Sequence, residues 1–261
     1  HHEDFFPKGN AQMGPDPSLF NGRHMGQDFI VKDGFRMYHG DKVPGFPAHP
    51  HRGFETITIV QQGLVDHSDS LGAAGRYGQG DVQWLTAGRG IQHSEMFPLL
   101  KQTEANPLLL FQLWLNLPAK NKMAPPNFLM FWSDQLPRAQ EQDSEGRAIR
   151  VEITAGAYGN TKALAPPPYS WAADPSNHVA AWVIDLAADA EWLLPAAASG
   201  LNRALYFFEG ADAQFDGMTV KVMNSMRLRS DQGLAIRNGA KPARLLAYSL
   251  QVVDYANIRG A

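Results

Sequence analysis

No cysteine occurs among the 261 residues of this chain, which excludes disulfide staples, thiolate zinc sites and iron–sulfur clusters. Any metal must therefore be gripped by imidazole, carboxylate and water. A long apolar run is lacking as well: the most apolar stretch, PLLLFQLWLNLP at 107–118, is broken by Gln112 and Asn116 and is too short to cross a bilayer. The opening HHEDFFPKGN is polar and contains no apolar signal core. No membrane association and a cytoplasmic residence are the expectations. The chain does not begin with methionine, and His1 and His2 are set aside from the site reading. An excess of charge is also missing, because 23 basic residues stand against 26 acidic ones for a net charge of -3, with no basic run. Direct nucleic-acid binding is not expected.

Long amphipathic helical periods are equally scarce. Instead, 24 glycines and 18 prolines are spread along the chain and cut it into short segments, the profile of an all-β protein. Strands are predicted at 56–62, 81–87, 108–117, 148–154, 180–186, 204–209, 234–238 and 244–253. Between the halves, ITIVQQGLVDHSDSLG (57–72) is similar to ALYFFEGADAQFDGMT (204–219): an apolar strand, a glycine turn, then a strand carrying aspartate. This suggests an internal repeat. Polar and proline-rich interruptions fall at 141–147 and 165–170; the junction is placed near 130–150, with the later prolines as a loop inside or at the entry to the second unit. We expect one barrel over residues 1–135 and a second over 136–261.

What is present is a pattern of histidines. In PAHPHRGFET (47–56), His49 and His51 lie one residue apart, and in GDVQWLTAGRGIQHSEM (80–96) so do His93 and Glu95. Alternate side chains of an extended segment share a face, so each pair can address one ion, and antiparallel pairing would bring the two pairs together. Three imidazoles and a carboxylate are the ligand mix of non-haem Fe(II), and they also suit manganese, nickel, cobalt, copper or zinc. Glu55 shares parity with His49 and His51, so spacing leaves Glu55 and Glu95 as alternatives. For His24, His39, His67 and His178, taken singly, a hydrogen-bonded core or surface role is the better reading. Ser94 between two ligands should face away. Arg52 is expected to pair with a carboxylate such as Glu55, and Phe46, Trp84 and Met96 read as core more readily than as pocket wall. The second half has no such pair and one histidine, His178; its barrel should lack a metal.

HPHRGFETITIVQQG (49–63) and GDVQWLTAGRGIQHSEM (80–96) resemble the two metal-site motifs of the pirin family, within the cupin superfamily. FQLWLNLPAKNKMAPP (111–126) resembles the segment that follows them. The stretch DGFRMYHGDKVPG (33–45) and the ending DYANIRGA depart from the family pattern. The resemblance implies two cupin barrels of jelly-roll type packed in one chain. It implies one divalent ion held by His49, His51, His93 and Glu95, where the wider cupin pattern would use Glu55. It also implies a quercetin 2,3-dioxygenase-like reaction, in which a flavonol and dioxygen are the substrates, the ring opens with loss of carbon monoxide, and Glu95 serves as base. The alternative it carries is a non-enzymatic, metal-dependent regulator that binds a transcription factor or a metabolic enzyme.

Overall fold

The structure, a computed structural model, describes residues 1–251. Over these its regular elements are all strands apart from four short 3-10 turns, so the chain is all-β. Among the described residues no helix is long and apolar enough to cross a membrane. The last two positions of the strand predicted at 244–253 and the ending DYANIRGA lie outside the described residues. Two compact units divide the chain, one formed by residues 1–134 with 167–169 and the other by residues 135–166 with those from 170 onward.

In the first unit the strands are β1 (His2–Phe6), β2 (Gly45–His51), β3 (Phe54–Gln62), β4 (Leu64–Asp69), β5 (Ala74–Gly78), β6 (Val82–Thr86), β7 (Ile91–Met96), β8 (Asn106–Asn116) and β9 (Asn127–Phe131). They form a five-stranded sheet, β1-β8-β3-β6-β9, and a four-stranded sheet, β2-β7-β4-β5. Val60, Leu108 and Leu110 of the larger sheet share one core with Val65 and Tyr77 of the smaller. Burying each such side chain contributes about 1.5–3 kcal/mol, and the two sheets close on that core as the walls of a barrel.

β3, β6 and β8 carry the apolar runs that mark them in the sequence. β1 and β2 do not. The polar-looking β1 pairs along its length with the start of β8, from His2 opposite Leu110 to Phe6 opposite Asn106. Its Asp4 is buried and accepts from the backbone N–H and guanidinium of Arg36. β2 contains Pro47 and Pro50, and it is an edge strand, where a missing N–H is tolerated.

The second unit has a six-stranded sheet in the order Arg138–Gln142, Ala148–Ala155, Ala180–Leu186, Ala243–Gln251, Leu201–Glu209, Asn224–Arg227. A four-stranded sheet runs Glu191–Leu194, Leu234–Arg237, Ala213–Phe215, Met218–Val220. Ile153, Ile184, Phe207 and Leu245 of the first meet Leu194, Phe215 and Ile236 of the second in a single core. The sequence similarity between the halves has a structural counterpart: β3 passes to β4 through Gly63 (φ 85°), and Leu201–Glu209 passes to Ala213–Phe215 through Gly210 (φ 138°). In both units the chain moves there from the larger sheet to the smaller. No group of metal-binding side chains occurs in this unit among the described residues, and His178 is exposed on a turn.

Candidate metal centre

Strand pairing assembles the centre. β2 and β7 run antiparallel with His49 opposite His93, and a register irregularity between Phe46 and His49 adjusts the pleat. Directly opposed residues project from the same face with Cβ atoms about 4.5–5.5 Å apart. The imidazoles accordingly meet: ring centroids are 4.6 Å apart for His49–His51, 4.6 Å for His49–His93 and 4.7 Å for His51–His93. One nitrogen from each ring lies within 4.8 Å of the others. Close approach of the two strands depends on Gly45 (φ 134°), where a Cβ would sit 2.5 Å from the carbonyl oxygen of Glu95 and 2.7 Å from Cα of Met96.

The chemistry of these rings suits a metal ion. His49 donates from Nδ1 to the Pro47 carbonyl at 2.8 Å, which leaves the lone pair on Nε2. His93 is buried, and neither of its ring nitrogens has a hydrogen-bond partner. A buried polar group left unpaired costs about 1–3 kcal/mol, and an ion is the partner that three convergent imidazoles would satisfy. Burial lowers His93 to about 3, helped by the neighbouring His49, His51 and His67, and lowers His51 to about 4, helped by His49. Both rings are neutral at pH 7, the form that binds metals.

Glu95 stands beside this group. Its Oε2 is 3.8 Å from Nε2 of His93, and the carboxylate is buried. Gln112 donates from Nε2 to both Glu95 oxygens at 3.1 Å, while its own carbonyl accepts from the indole of Trp114 at 2.7 Å. An indole N–H can only donate, so Trp114 fixes which end of the amide faces Glu95. Burial raises Glu95 to about 7, partly offset by the hydrogen bonds from Gln112. Sequence reasoning missed Gln112 as a functional residue. The available signal was its parity with the buried Leu108 and Leu110 on β8, which points a polar side chain into the barrel.

Glu55 is elsewhere occupied. It is fully buried and accepts from the indole of Trp84 at 3.0 Å and the hydroxyl of Thr86 at 2.7 Å. The parity argument that linked it to His51 fails because β2 ends at His51 and Gly53 (φ 78°) turns the chain before β3 begins. The Arg52 guanidinium reaches the sulfur of Met123 at 3.3 Å, so the expected role of Arg52 beside Glu55 is corrected. His67 is buried, bonded through Nε2 to Asp69 at 2.8 Å and stacked on Phe128. Ser94 bonds Ser68 at 2.9 Å.

Beside the imidazoles lies a cavity of about 390 Å³, within the range of small-molecule sites. His49, His51, Glu95 and Gln112 form its polar wall, and Phe29, Phe46, Phe97, Leu110 and Trp114 its apolar one. Of the aromatic and methionine side chains weighed from sequence, only Phe46 is on this wall; Trp84 is core, and Met96 borders a depression formed with Met13 and Ser94. His1 and His2, set aside at the level of sequence, line the cavity too.

Comparison with known proteins bears on the same segment. The family model described as Pirin matches residues 14–115, the span that holds all three imidazoles and Glu95. A Pseudomonas aeruginosa relative is 47% identical over 115 residues, which is 44% of this chain and 39% of its own. Pirin-1 of Arabidopsis thaliana is 50% identical over 112 residues, 43% of this chain and 35% of its own. The matched segment thus spans less than half the length of these curated relatives. Among solved structures, a quercetin 2,3-dioxygenase from Acinetobacter baumannii superposes with a TM-score of 0.69 at 27% identity, covering 82% of this chain and 70% of that one. A Geobacillus kaustophilus protein does so with 0.63 at 30% identity, covering 80% and 78%. Matched by its family model across the paired histidine motifs, and by structural relatives over most of its length, the chain belongs to the pirin family.

Proposed function

We propose that the first unit is a single-metal dioxygenase centre that opens the heterocycle of flavonol-like substrates with dioxygen and releases carbon monoxide. The observation that carries this reading is the triangle of imidazoles, with both nitrogens of buried His93 unpartnered, at the foot of an aromatic-walled cavity. His49, His51 and His93 would hold the ion with Glu95 as fourth ligand. Fe(II) is the ion we assign, with manganese, nickel, cobalt, copper or zinc as alternatives. When bound, it supplies Lewis acidity toward a substrate hydroxyl and redox contact with dioxygen.

The protein's own groups have separate tasks. Phe29, Phe46 and Phe97 offer aromatic faces to a planar substrate and keep water from its rings. Glu95, raised to about 7 by burial, accepts the proton of the substrate's acidic hydroxyl, since a base works best with a pKa near the working pH. Gln112 holds the carboxylate in place through both oxygens. The second unit, residues 136–261 in our division, is a cupin barrel without a metal.

The test is oxygen uptake. Protein reconstituted anaerobically with Fe(II) should consume dioxygen with quercetin and release carbon monoxide, and should do neither with a flavone lacking the 3-hydroxyl. No uptake with any divalent ion, alongside tight metal-dependent capture of a protein partner, would favour the regulatory alternative.

A further inference from the structure

Next to Phe46, whose ring centroid is 6.2 Å from that of His49, the cavity wall holds a polar group that the proposed reaction leaves unused. His2 sits there beside Phe46 and Phe97, with ring centroids at 5.7 and 6.5 Å. Its Nδ1 lies 2.9 Å from the Tyr38 hydroxyl. That hydroxyl lies 2.5 Å from Oδ2 of buried Asp4, and Asp4 also accepts from the Arg36 backbone N–H at 2.8 Å and from its guanidinium at 2.9 and 3.0 Å.

Counting protons along this chain fixes each hydrogen bond. Asp4, paired with a guanidinium, is an acceptor only, so Tyr38 must give it the single phenolic proton. Burial and the charge of Asp4 hold the phenol well above its ordinary value, which keeps that proton in place. The Tyr38 oxygen then has only lone pairs to offer, so His2 must donate from Nδ1. A neutral imidazole with its proton on Nδ1 carries its lone pair on Nε2. His2 is neutral at pH 7 because burial, foremost, then the charge of the adjacent amino group and that of Arg36 lower it to about 4. Its Nε2 has no hydrogen-bond partner among the described residues and is not a fully enclosed atom.

We infer that His2, locked in the Nδ1–H tautomer by Tyr38 and Asp4, is a specificity-determining residue that accepts a hydrogen bond from a substrate hydroxyl at the end of the ligand remote from the metal. This rests on the functional reading above and deepens it. A flavonol with one hydroxyl engaged at the imidazoles and a second on its outer ring would satisfy both walls, whereas a ligand lacking the second would leave Nε2 desolvated and unpaired. The site thus discriminates by hydroxyl pattern, the kind of selectivity that a single placed acceptor provides.

The experiment compares quercetin with 3-hydroxyflavone, which keeps the metal-facing hydroxyl and lacks the outer ones. Binding is measured anaerobically on protein loaded with redox-inert Zn(II), by quenching of tryptophan fluorescence. His2→Phe should weaken quercetin about 5- to 10-fold and leave 3-hydroxyflavone within about 2-fold, the loss of one net hydrogen bond. In the same samples, ¹⁵N-histidine NMR should show the His2 resonance as the Nδ1–H tautomer, and Tyr38→Phe should release it into a tautomer mixture. An Nε2–H tautomer in the wild type, or an affinity ratio that His2→Phe leaves unchanged, overturns the inference while the functional reading stands. Failure of both flavonols to bind wild-type protein overturns the two together.

Discussion

His49 and His93 face each other directly across the β2–β7 pair, their ring centroids 4.6 Å apart, and one of the two is buried without a partner for either nitrogen. The pairing makes a strained demand on the metal-free protein. With chelator present, His93→Leu should be more stable than wild type by about 1–2 kcal/mol, since the unpaired buried nitrogens are removed at little cost in volume. With saturating Zn(II) the order should reverse, because the ion stabilises only the intact site, by about 2.7 kcal/mol at a hundredfold excess over Kd. Urea unfolding in the two conditions reads both signs.

The two glutamates should separate cleanly. Glu55→Gln disturbs charge-assisted bonds from Trp84 and Thr86, so it should lower stability by about 1.5–3 kcal/mol and change metal affinity little. Glu95→Gln should preserve stability and weaken metal binding. Metal lost only from the Glu55 variant would transfer the ligand role to Glu55.

Gln112→Leu leaves the Glu95 carboxylate buried without its donor. Metal affinity should fall about 10- to 100-fold, the usual effect of removing a group that orients a ligand. Trp114→Phe, which frees the amide to flip, should produce a smaller loss of the same sign. Competition with a chromophoric chelator measures both, and equal affinity in all three proteins would disconnect Gln112 from the centre.

Acid should weaken the fold partly through His2. Its folded value, about 4, lies below the unfolded value of 6.5, so the unfolded chain binds more protons in that window. The stability His2 contributes is fully present above about 6.5 and is lost as pH falls toward 4. Between pH 7.5 and 5, wild type should lose about 1 kcal/mol more than His2→Phe, a figure reduced for the partial exposure of the ring. Parallel pH dependence of the two proteins would show that folding leaves the titration of His2 unshifted.

The fold was legible where strands carry their own apolar pattern. AAWVIDL became Ala180–Leu186 without change, and TITIVQQ lies within Phe54–Gln62. β1 was not legible, because what makes HEDFF a strand is its pairing with β8 and the Arg36 partner of Asp4, both distant in sequence. In the site, same-face spacing anticipated the meeting of His49, His51 and His93. Counting parity through Gly53 misjudged Glu55, since a turn resets the face to which a side chain points. Gln112 and His2 were hidden for a common reason: their significance is a hydrogen bond to a residue that only the folded barrel brings near.

Metal content decides whether the His49, His51 and His93 cluster is a metal centre. After anaerobic reconstitution with Fe(II) and removal of excess, elemental analysis should find about one ion per chain in wild type and almost none in His93→Ala, with both proteins folded. Two tightly held ions per chain, or undiminished content in the folded His93→Ala protein, would contradict the account.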